Sequence, residues 1–174
     1  MPRGQGAPSI RPAGPADAGD IEQLRVAGWQ TAYRGILPDA YLDRMRLDVP
    51  RRRTLLGGRA AAGVESVAVQ AGAIVGWVAG GPTRDASRAG PGQGEIYACY
   101  VQPEWWGRGV GRLLMTHAVS ALAGAGLDDV TLWVLEDNHQ ARRFYEACGF
   151  QPDGTRQLLD LGGPVPEVRY QLTR

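Results

Sequence analysis

The segment Trp106-Gly107-Arg108-Gly109-Val110-Gly111-Arg112 is the feature that most constrains this chain. It follows a strand-like run that ends at Val101 and opens a helical run from Gly109 to Ala125. A strand that turns through glycines into a helix presents free backbone N–H groups and the positive end of the helix dipole. Glycines let a ligand approach closely, although each of them costs helix stability. The segment therefore predicts a pyrophosphate site, to which Arg108 and Arg112 add positive charge; the alternative is a simple tight turn.

Two other phosphate-binding patterns fit this segment less well. A Walker loop needs a Gly-Lys-Ser/Thr sequence, and the chain contains no lysine. The dinucleotide fingerprint G-x-G-x-x-G fails because Arg112 stands where the third glycine belongs when the count starts at Gly107. The missing lysine also excludes a lysine Schiff base and a lysine general base.

Composition and charge remove several classes of function. A chain of 174 residues with 44% hydrophobic and 21% charged residues is typical of one soluble domain. A net charge of +1 argues against a broad basic surface for nucleic acid. Cys99 and Cys148 lie far apart and have no metal-ligand spacing, so we expect no disulfide framework, no metal and a reducing cytoplasm. We also expect no signal peptide and no membrane span.

The order of predicted elements is β-α-α-β-β-β-α-β-α-β-β, which favours a mixed α+β sandwich around one sheet. Residues 1–8 are rich in Gly and Pro and are predicted to be a disordered tail, and residues 9–174 a single domain. The predicted strands cover residues 9–12, 65–70, 74–79, 94–101, 129–134, 157–161 and 168–172. The predicted helices cover residues 18–33, a short segment from 38 or 39, 47–56, 109–125 and 138–148.

Two blocks together resemble the GNAT superfamily, the acyl-CoA-dependent N-acetyltransferases. The family loop Gln/Arg-x-x-Gly-x-Gly/Ala corresponds to residues 106–111, where Trp106 departs from the usual Gln or Arg. The second block is Asn138…Ala141-x-x-Phe144-Tyr145-x-x-x-Gly149-Phe150. The resemblance covers residues 65–150, and residues 29–38 also look like the helix-turn-helix lid of many bacterial members. Family phosphate contacts come mostly from the backbone, so binding is expected to survive the change at Trp106.

The resemblance implies a fold, a cosubstrate and a set of contacts. The fold is the GNAT-type α/β/α arrangement, a mixed and mostly antiparallel sheet of about six or seven strands with about four helices. The cosubstrate is acetyl-CoA, with its pantetheine arm lying along one strand like an added strand. The residues expected to bind it are Cys99, Tyr100, Val101, Gly107, Arg108, Gly109, Val110, Gly111, Arg112 and Asn138.

Acetyl transfer from a thioester to an amine needs a base for the amine and an acid for the leaving thiolate. The resemblance puts the Tyr145 hydroxyl near the CoA sulfur as the acid. Glu95 is the predicted base, directly or through a water, because alternation puts it on one strand face with Tyr97, Cys99 and Val101, where apolar neighbours raise a carboxyl pKa. The alternative for Glu95 is a solvent-facing residue or a substrate anchor. Glu136 and Asp137 are the other candidates for the base, and their alternative is a solvated loop before Asn138.

Aromatic residues are the candidates for the acceptor pocket. Trp29, Tyr33 and Tyr97 are predicted to line it, and the alternative for each of them is a place in the core. Asn138 is expected to contact the pantetheine arm, and it also suits the N-cap of its helix.

The sequence thus predicts a cytoplasmic, bacterial N-acetyltransferase that moves an acetyl group from acetyl-CoA to a primary amine of a small molecule or peptide. Direct attack in a ternary complex is the expected mechanism. A non-catalytic acyl-CoA-binding or sensor protein on the same fold is the alternative. The expected partners are acetyl-CoA and the amine, without nucleic acid or membrane, and the C-terminal strands are compatible with a homodimer.

Overall fold

A computed structural model describes residues 7–58 and 63–173 of the chain. Seven strands form one mixed sheet in the order β1-β2-β3-β4-β5-β7-β6. Of the neighbouring pairs, β4 and β5 run parallel and the others run antiparallel. The predicted class, a mostly antiparallel mixed sheet with helices packed on it, is confirmed.

The strands are β1 Ser9–Pro12, β2 Val64–Gln70, β3 Ala73–Pro82, β4 Gln93–Val101, β5 Asp129–Leu135, β6 Phe150–Asp160 and β7 Pro164–Leu172. The helices are α1 Ala18–Ala32, α2 Asp39–Asp43, α3 Val49–Gly57, α4 Val110–Gly124 and α5 His139–Ala147. Single 3-10 turns cover Pro15–Asp17, Ala86–Arg88 and Pro103–Trp105. The single domain over 9–174 stays a prediction, as does the disordered tail, of which residues 1–6 lie outside the described residues.

Each face of the sheet carries its own core. On one face α4 buries Val110, Leu114 and Met115 against apolar side chains of the central strands, and α5 packs beside it. On the other face α1 buries Ile21 and Leu24 against side chains of β2 and β3. The sheet therefore has helices packed on both of its faces.

The parallel strands β4 and β5 separate partway along their length. Pairing runs only from Gln93–Asp129 to Ile96–Leu132, and the rest of β4 has no partner on that side. Immediately after this point β4 carries a bulge, because Ala98 pairs with Ala79 and Ile96 pairs with Gly80, which leaves Tyr97 as an extra residue. The result is a wedge-shaped gap in the middle of the sheet, here called the β4–β5 gap.

Most boundaries agree with the sequence patterns, and the exceptions lie at the ends of strands. Strand β6 starts at Phe150, whereas the polar pattern predicted a strand only from residue 157. Strand β3 continues through Gly80-Gly81-Pro82, which was assigned to a loop. Pairing with long neighbouring strands holds these residues extended despite their low strand propensity.

Candidate active site

A cavity of about 460 Å³ opens at the β4–β5 gap, on the side of the glycine-rich segment. We call it the β4–α5 cavity. The end of β4, the start of α4, one face of α5 and the end of α1 form its walls. The lining includes Cys99, Tyr100, Val101, Gly107, Gly109, Gly111, Arg112, Asn138 and Tyr145, so most residues predicted to bind acetyl-CoA lie around one space.

Glycine stands at three positions of the loop for two different structural reasons. Gly107 and Gly109 have φ values of 71° and 83°, and nothing lies within 4 Å of the Cβ that each would carry. Their left-handed backbone and open surroundings leave the loop accessible to a ligand. Gly111 is different, because a Cβ there would lie 3.0 Å from the ring of Phe144. Gly111 therefore lets α4 and α5 approach each other.

The start of α4 supplies the features that an anion needs. Its N-cap residue, Gly109, makes no side-chain capping bond, so the first-turn N–H groups have no side-chain acceptor from that residue. The exposed Arg112 lines the cavity beside them. The Arg108 guanidinium lies over the Trp105 ring at 5.3 Å from its centroid and does not line the cavity. The Val110 side chain is buried in the core, which leaves only its backbone for a ligand.

The Trp106 side chain explains how the loop tolerates the departure from the family pattern. Its indole Nε1 donates a 2.8 Å hydrogen bond to the carbonyl oxygen of Val101, the last residue of β4. This bond ties the glycine-rich loop to the end of the strand. The position of the loop is thus fixed by a hydrogen bond that the family pattern does not predict.

The end of β4 presents unpaired backbone groups to the cavity. Gln102 N donates to Val75 O at 2.9 Å. Antiparallel pairs alternate between bonded and non-bonded residues, so Tyr100 bonds to β3 in the same way, while Cys99 and Val101 point their N–H and C=O groups toward the gap. The strand edge that the sequence assigned to the pantetheine arm is open there, apart from the Val101 carbonyl.

Tyr145 lies on the cavity face of α5. Its ring packs beside Phe144 and Phe150, with centroid distances of 5.2 and 6.4 Å. Its hydroxyl makes no hydrogen bond to another residue within the described part of the chain, so it is free for a ligand in the cavity. Burial raises the pKa of the Tyr145 hydroxyl well above its usual value, and Cys99 and Tyr33 add to the effect. The phenol therefore keeps its proton at neutral pH and acts as a donor.

Asn138 caps α5 and also lines the β4–α5 cavity. Its Oδ1 accepts a 3.1 Å hydrogen bond from Ala141 N, which makes it the N-cap of α5. The residue is 6% exposed and lines the β4–α5 cavity. Its Nδ2 donates to none of the described residues, so this amide group is available to a bound molecule.

A second cavity, of about 500 Å³, lies on the α1 face of the sheet at the same gap. We call it the β4–β7 cavity. Its lining comprises Arg84, Asp85, Ala86, Glu95, Ile96, Tyr97, Trp133, Gln157, Leu159 and Glu167. Charged and aromatic side chains thus share a space that adjoins the point where β4 and β5 separate.

Glu95 is buried in this cavity, but its surroundings differ from the apolar ones that were expected. The residue is 3% exposed. Its Oε2 accepts from Arg84 N at 2.7 Å, and its Oε1 accepts from the Arg84 guanidinium at 2.7 and 3.2 Å. Thr83 Oγ1 lies 3.5 Å from Oε2. The carboxylate is therefore an ion-pair partner as well as a candidate base.

The predicted common face of Glu95, Tyr97, Cys99 and Val101 is wrong. The bulge at Tyr97 shifts the alternation by one residue, so Cys99 and Val101 pack on the α4 side. Glu95 and Tyr97 line the β4–β7 cavity on the opposite side. The first half of β4 therefore lines the β4–β7 cavity, and its second half lines the β4–α5 cavity.

Glu167 is a cavity residue that the sequence reasoning missed. It lies on β7 opposite Leu135 of β5 and is half-buried. Its Oε2 accepts a 2.9 Å hydrogen bond from Gln157 Nε2. Burial raises the pKa of the Glu167 carboxyl, and the negative charge of Glu95 raises it further. A lone glutamate in an alternating strand gives no signal of this kind, because only the sheet order brings it to the cavity.

The three predicted acceptor-pocket aromatics separate in the structure. Tyr97 lines the β4–β7 cavity, and Tyr33 lines the β4–α5 cavity with its hydroxyl unbonded to other described residues. Trp29 lines neither cavity. Its indole donates a 2.6 Å hydrogen bond to the Tyr100 hydroxyl, and its ring packs edge-on against Tyr33 at 4.9 Å. Trp29 supports the wall and does not form it.

Two other kinds of site are not found in the described part of the chain. Across residues 7–58 and 63–173, no group of three His, Cys, Asp or Glu side chains is arranged to hold a metal ion. No helix in those same residues has the length and apolar character to span a membrane. Cys99 and Cys148 are both free thiols, and burial raises the pKa of Cys99 to about 12.

Comparisons with known proteins agree with this geometry. The Acetyltransferase (GNAT) family model matches residues 26–150. The uncharacterised N-acetyltransferase YuaI of Bacillus subtilis is 30% identical over 139 residues, which are 80% of this chain and 78% of YuaI. The mycothiol acetyltransferase of Mycobacteroides abscessus is 48% identical over 60 residues, 34% of this chain, but the match spans only 20% of that protein's own length.

A solved structure gives the same result for the fold. The crystal structure of the PaiA N-acetyltransferase of Thermoplasma acidophilum in complex with coenzyme A superposes with a TM-score of 0.79. The match covers 97% of this chain and 100% of that chain at 16% sequence identity. At this identity the likeness shows the fold alone.

Proposed function

The chain belongs to the acetyltransferase (GNAT) family, and we propose that it transfers an acetyl group from acetyl-CoA to a primary amine of a small molecule or peptide. The amine attacks directly, in a ternary complex with acetyl-CoA. The observation that carries this proposal is the free Tyr145 hydroxyl in a cavity that also contains the glycine-rich loop and the open edge of β4. A thioester lying along β4 has its sulfur near this hydroxyl.

The residues around the β4–α5 cavity fit acetyl-CoA. The loop of residues 107–112 offers backbone N–H groups without a side-chain cap, and Arg112 offers a positive charge for the pyrophosphate. Cys99 and Val101 offer backbone groups to the amides of the pantetheine arm, and Asn138 offers its Nδ2. Bound there, acetyl-CoA supplies an activated acyl group as a thioester.

Tyr145 is the proposed acid. Its raised pKa keeps the phenol protonated, and its O–H group donates to the sulfur as negative charge develops there. The same burial also raises the pKa of a thiolate in that position, which favours transfer of the proton. The residue therefore stabilises the leaving group and not the attacking amine.

The acceptor is proposed to bind in the β4–β7 cavity. This cavity lies on the opposite face of the sheet from α4, and β4 lines both cavities around the point where its pairing with β5 ends. Glu95, predicted from the sequence to take the amine's proton directly or through a water, lies in this cavity beside a second carboxylate, Glu167. The position of Glu95 in this cavity supports a role at the acceptor, and Arg84, whose side chain is 63% exposed, has room to move away from it.

The proposed setting is the cytoplasm of a bacterium. Two free cysteines, one of them with a strongly raised pKa, suit a reducing compartment. A homodimer formed through the C-terminal strands is also part of the proposal. Strand β6 is an outer strand of the sheet and carries Leu158, which is 68% exposed.

Ligand-dependent unfolding tests the cosubstrate. A ligand at 100 times its dissociation constant stabilises the folded state by about 2.7 kcal/mol. We expect a higher unfolding midpoint with acetyl-CoA and with CoA, and no change with NADH. Arg112→Ala should reduce the rise, while Arg143→Ala, a change at an exposed arginine of α5 outside the cavity, should not.

Turnover separates the enzyme from a binding protein. Thiol release from acetyl-CoA is measured with a chromogenic disulfide and a panel of primary amines: ethanolamine, tyramine, spermidine and peptides with free N-termini. Release that depends on an amine supports the transferase. Stabilisation by acetyl-CoA without release for any amine supports the acyl-CoA sensor, and no stabilisation by acetyl-CoA or CoA contradicts both.

A further inference from the structure

Two glutamates line the β4–β7 cavity, and their oxygens are occupied very differently. Both oxygens of Glu95 accept hydrogen bonds from Arg84. Glu167 accepts one bond, on Oε2 from Gln157, and among the described residues its Oε1 has no donor. We propose that Glu167 takes the proton from the acceptor's ammonium group and that Glu95 is a positioning residue beside it. This inference rests on the proposed transfer to an amine.

The ion pair makes Glu95 the weaker candidate for the base. The Arg84 guanidinium meets Glu95 at 2.7 Å, so a proton added to that carboxylate would leave the guanidinium without its partner. The same positive charge repels an approaching ammonium group. Glu95 can accept the proton only after Arg84 has left, whereas Glu167 needs no such movement.

Among the described residues, the ion pairs around the cavity do not include Glu167. Arg84 pairs with Glu95, and Arg169 is shared between Asp85 and Asp153, with a 2.6 Å contact to each. Within the described residues no cationic side chain forms an ion pair with Glu167. Glu167 is therefore a carboxylate that an ammonium group can approach without displacing a bound arginine.

Glu167 lies beside the β4–β5 gap. It is opposite Leu135 of β5, beyond the point where β4 and β5 separate. Its charge also reaches the Tyr33 hydroxyl, whose pKa is raised mainly by burial, then by Tyr100 and by Glu167. Because Tyr33 lines the β4–α5 cavity, the charge of Glu167 acts across the β4–β5 gap on the cavity proposed for the thioester.

The rest of the lining indicates the kind of amine. The rings of Tyr97 and Trp133 and the side chain of Leu159 line the cavity, and Arg84 stacks on the Tyr97 ring at 3.9 Å from its centroid. A volume of about 500 Å³ suits a compact molecule. The acceptor class is therefore a primary amine that is cationic in solution and carries a small apolar or aromatic body, such as tyramine.

The titration of Glu167 agrees with this geometry. Burial raises the pKa of its carboxyl, the Gln157 bond lowers it, the charge of Glu95 raises it again, and the positive charge of Arg84 lowers it. A carboxylate with a raised pKa is a stronger base toward an ammonium group. The titratable and charged groups on the elements around it are Tyr33, Arg84, Asp85, Glu95, Tyr97 and Arg169.

In the proposed reaction the nitrogen loses two protons, the first to Glu167 and the second to the Tyr145 phenolate. One ammonium proton passes to the Glu167 carboxylate, which becomes a carboxylic acid, and the neutral amine attacks the thioester carbon. The C–N bond forms, the C–S bond breaks and the electron pair goes to sulfur, which takes the Tyr145 proton. The nitrogen loses its second proton to the phenolate, through solvent, and Glu167 returns its proton to bulk water.

The test compares Glu167→Gln, Glu95→Gln and Glu167→Asp in the full chain, with tyramine and the same amine panel. Wild-type kcat/KM should rise with pH through the pKa of Glu167, because the base acts only when deprotonated. Glu167→Gln should lower kcat/KM by about 100-fold and remove this limb. Glu95→Gln should keep the limb and shift it to lower pH, because the charge that raises the Glu167 pKa is gone. Glu167→Asp should restore the limb at a reduced rate.

Binding of acetyl-CoA is measured for every variant, which separates misfolding from lost chemistry. Wild-type kcat/KM retained in Glu167→Gln, or a limb lost in Glu95→Gln and kept in Glu167→Gln, overturns the inference while leaving the transferase intact. Acetyl-CoA binding by the wild type without thiol release for any amine contradicts the proposed function, and the assignment of a base falls with it.

Discussion

The chemical step of the proposed function depends on the hydroxyl group of Tyr145. The Tyr145 ring is held by Phe144 and Phe150, so its position does not depend on the hydroxyl. The residue lines the β4–α5 cavity, and its hydroxyl has no hydrogen-bond partner among the described residues. Packing thus fixes the ring, and the polar group is left for the leaving sulfur.

Tyr145→Phe removes this hydroxyl and keeps the ring. We expect kcat to fall by about 100-fold, because the developing thiolate loses its donor, while the affinity for acetyl-CoA stays nearly unchanged. Steady-state thiol release and ligand-dependent unfolding measure the two quantities. Tyr41→Phe, at a tyrosine outside both cavities, is the matched control. An unchanged kcat in Tyr145→Phe would remove Tyr145 from the chemistry.

At the scale of single residues, the sequence predicted those functional residues that belong to a continuous motif. The glycine-rich loop and Tyr145 are recognisable because their neighbours along the chain carry the pattern. Glu167 has no such pattern, since its function depends on β7 lying beside β5. Arg84 was also missed, because the polar loop that contains it gives no indication of its 2.7 Å contact with Glu95.

The pairing of β3 with β4 decides which side chains reach which cavity. The register shifts between Ala79 and Gly80 of β3, opposite the extra residue Tyr97. A Cβ at Gly80 would lie 2.8 Å from the backbone carbonyl of Glu95. Backbone atoms cannot move as cheaply as the end of a flexible side chain, so this position requires the smallest residue.

Gly80→Ala should therefore destabilise the protein by about 1–3 kcal/mol. The matched control is Gly19→Ala in α1, where nothing lies within 4 Å of the new Cβ. That change should stabilise by roughly 0.5–1 kcal/mol, since alanine favours a helix. Thermal unfolding measures both, with about 2–4 °C expected per kcal/mol at this size. Equal shifts in the same direction would contradict the close contact at Gly80.

Element boundaries show why the bulge escaped prediction. Apolar periodicity located α1 and α4 within about two residues, because each helix buries one continuous face. A bulge depends on the partner strand, and the run Glu95–Val101 alternates as if it were regular. The strand was therefore predicted in the right place with the wrong side chains on each face.

At the scale of the whole molecule, ion pairs between residues that are distant in the sequence hold the elements around the β4–β7 cavity together. Arg169 of β7 contacts Asp153 of β6 and Asp85 of the loop before β4, each at 2.6 Å. This network fixes the loop that carries Arg84 against the C-terminal strands. Such pairs join residues that lie far apart in sequence, so patterns in single segments do not predict them.

A second buried network, centred on Glu22 of α1, should govern the stability of the whole molecule in acid. Its carboxylate accepts hydrogen bonds from Arg25, from the backbone N–H of Asp48 and from Arg52 of α3. Burial alone would raise the pKa of Glu22, but these bonds outweigh it and lower the pKa from 4.5 to about 2. The stabilisation is fully present above pH 4.5 and is lost as the pH falls toward 2.

Glu22→Gln tests this dependence, because glutamine keeps the shape and cannot titrate. Between pH 5 and pH 2 the wild type should lose about 3 kcal/mol more of its free energy of unfolding than the variant does. Urea unfolding at a series of pH values measures the difference. Glu104→Gln, at an exposed glutamate that forms no ion pair with another described residue, should follow the wild type. Parallel curves for the wild type and Glu22→Gln would mean that the charge of Glu22 adds nothing to the folded state.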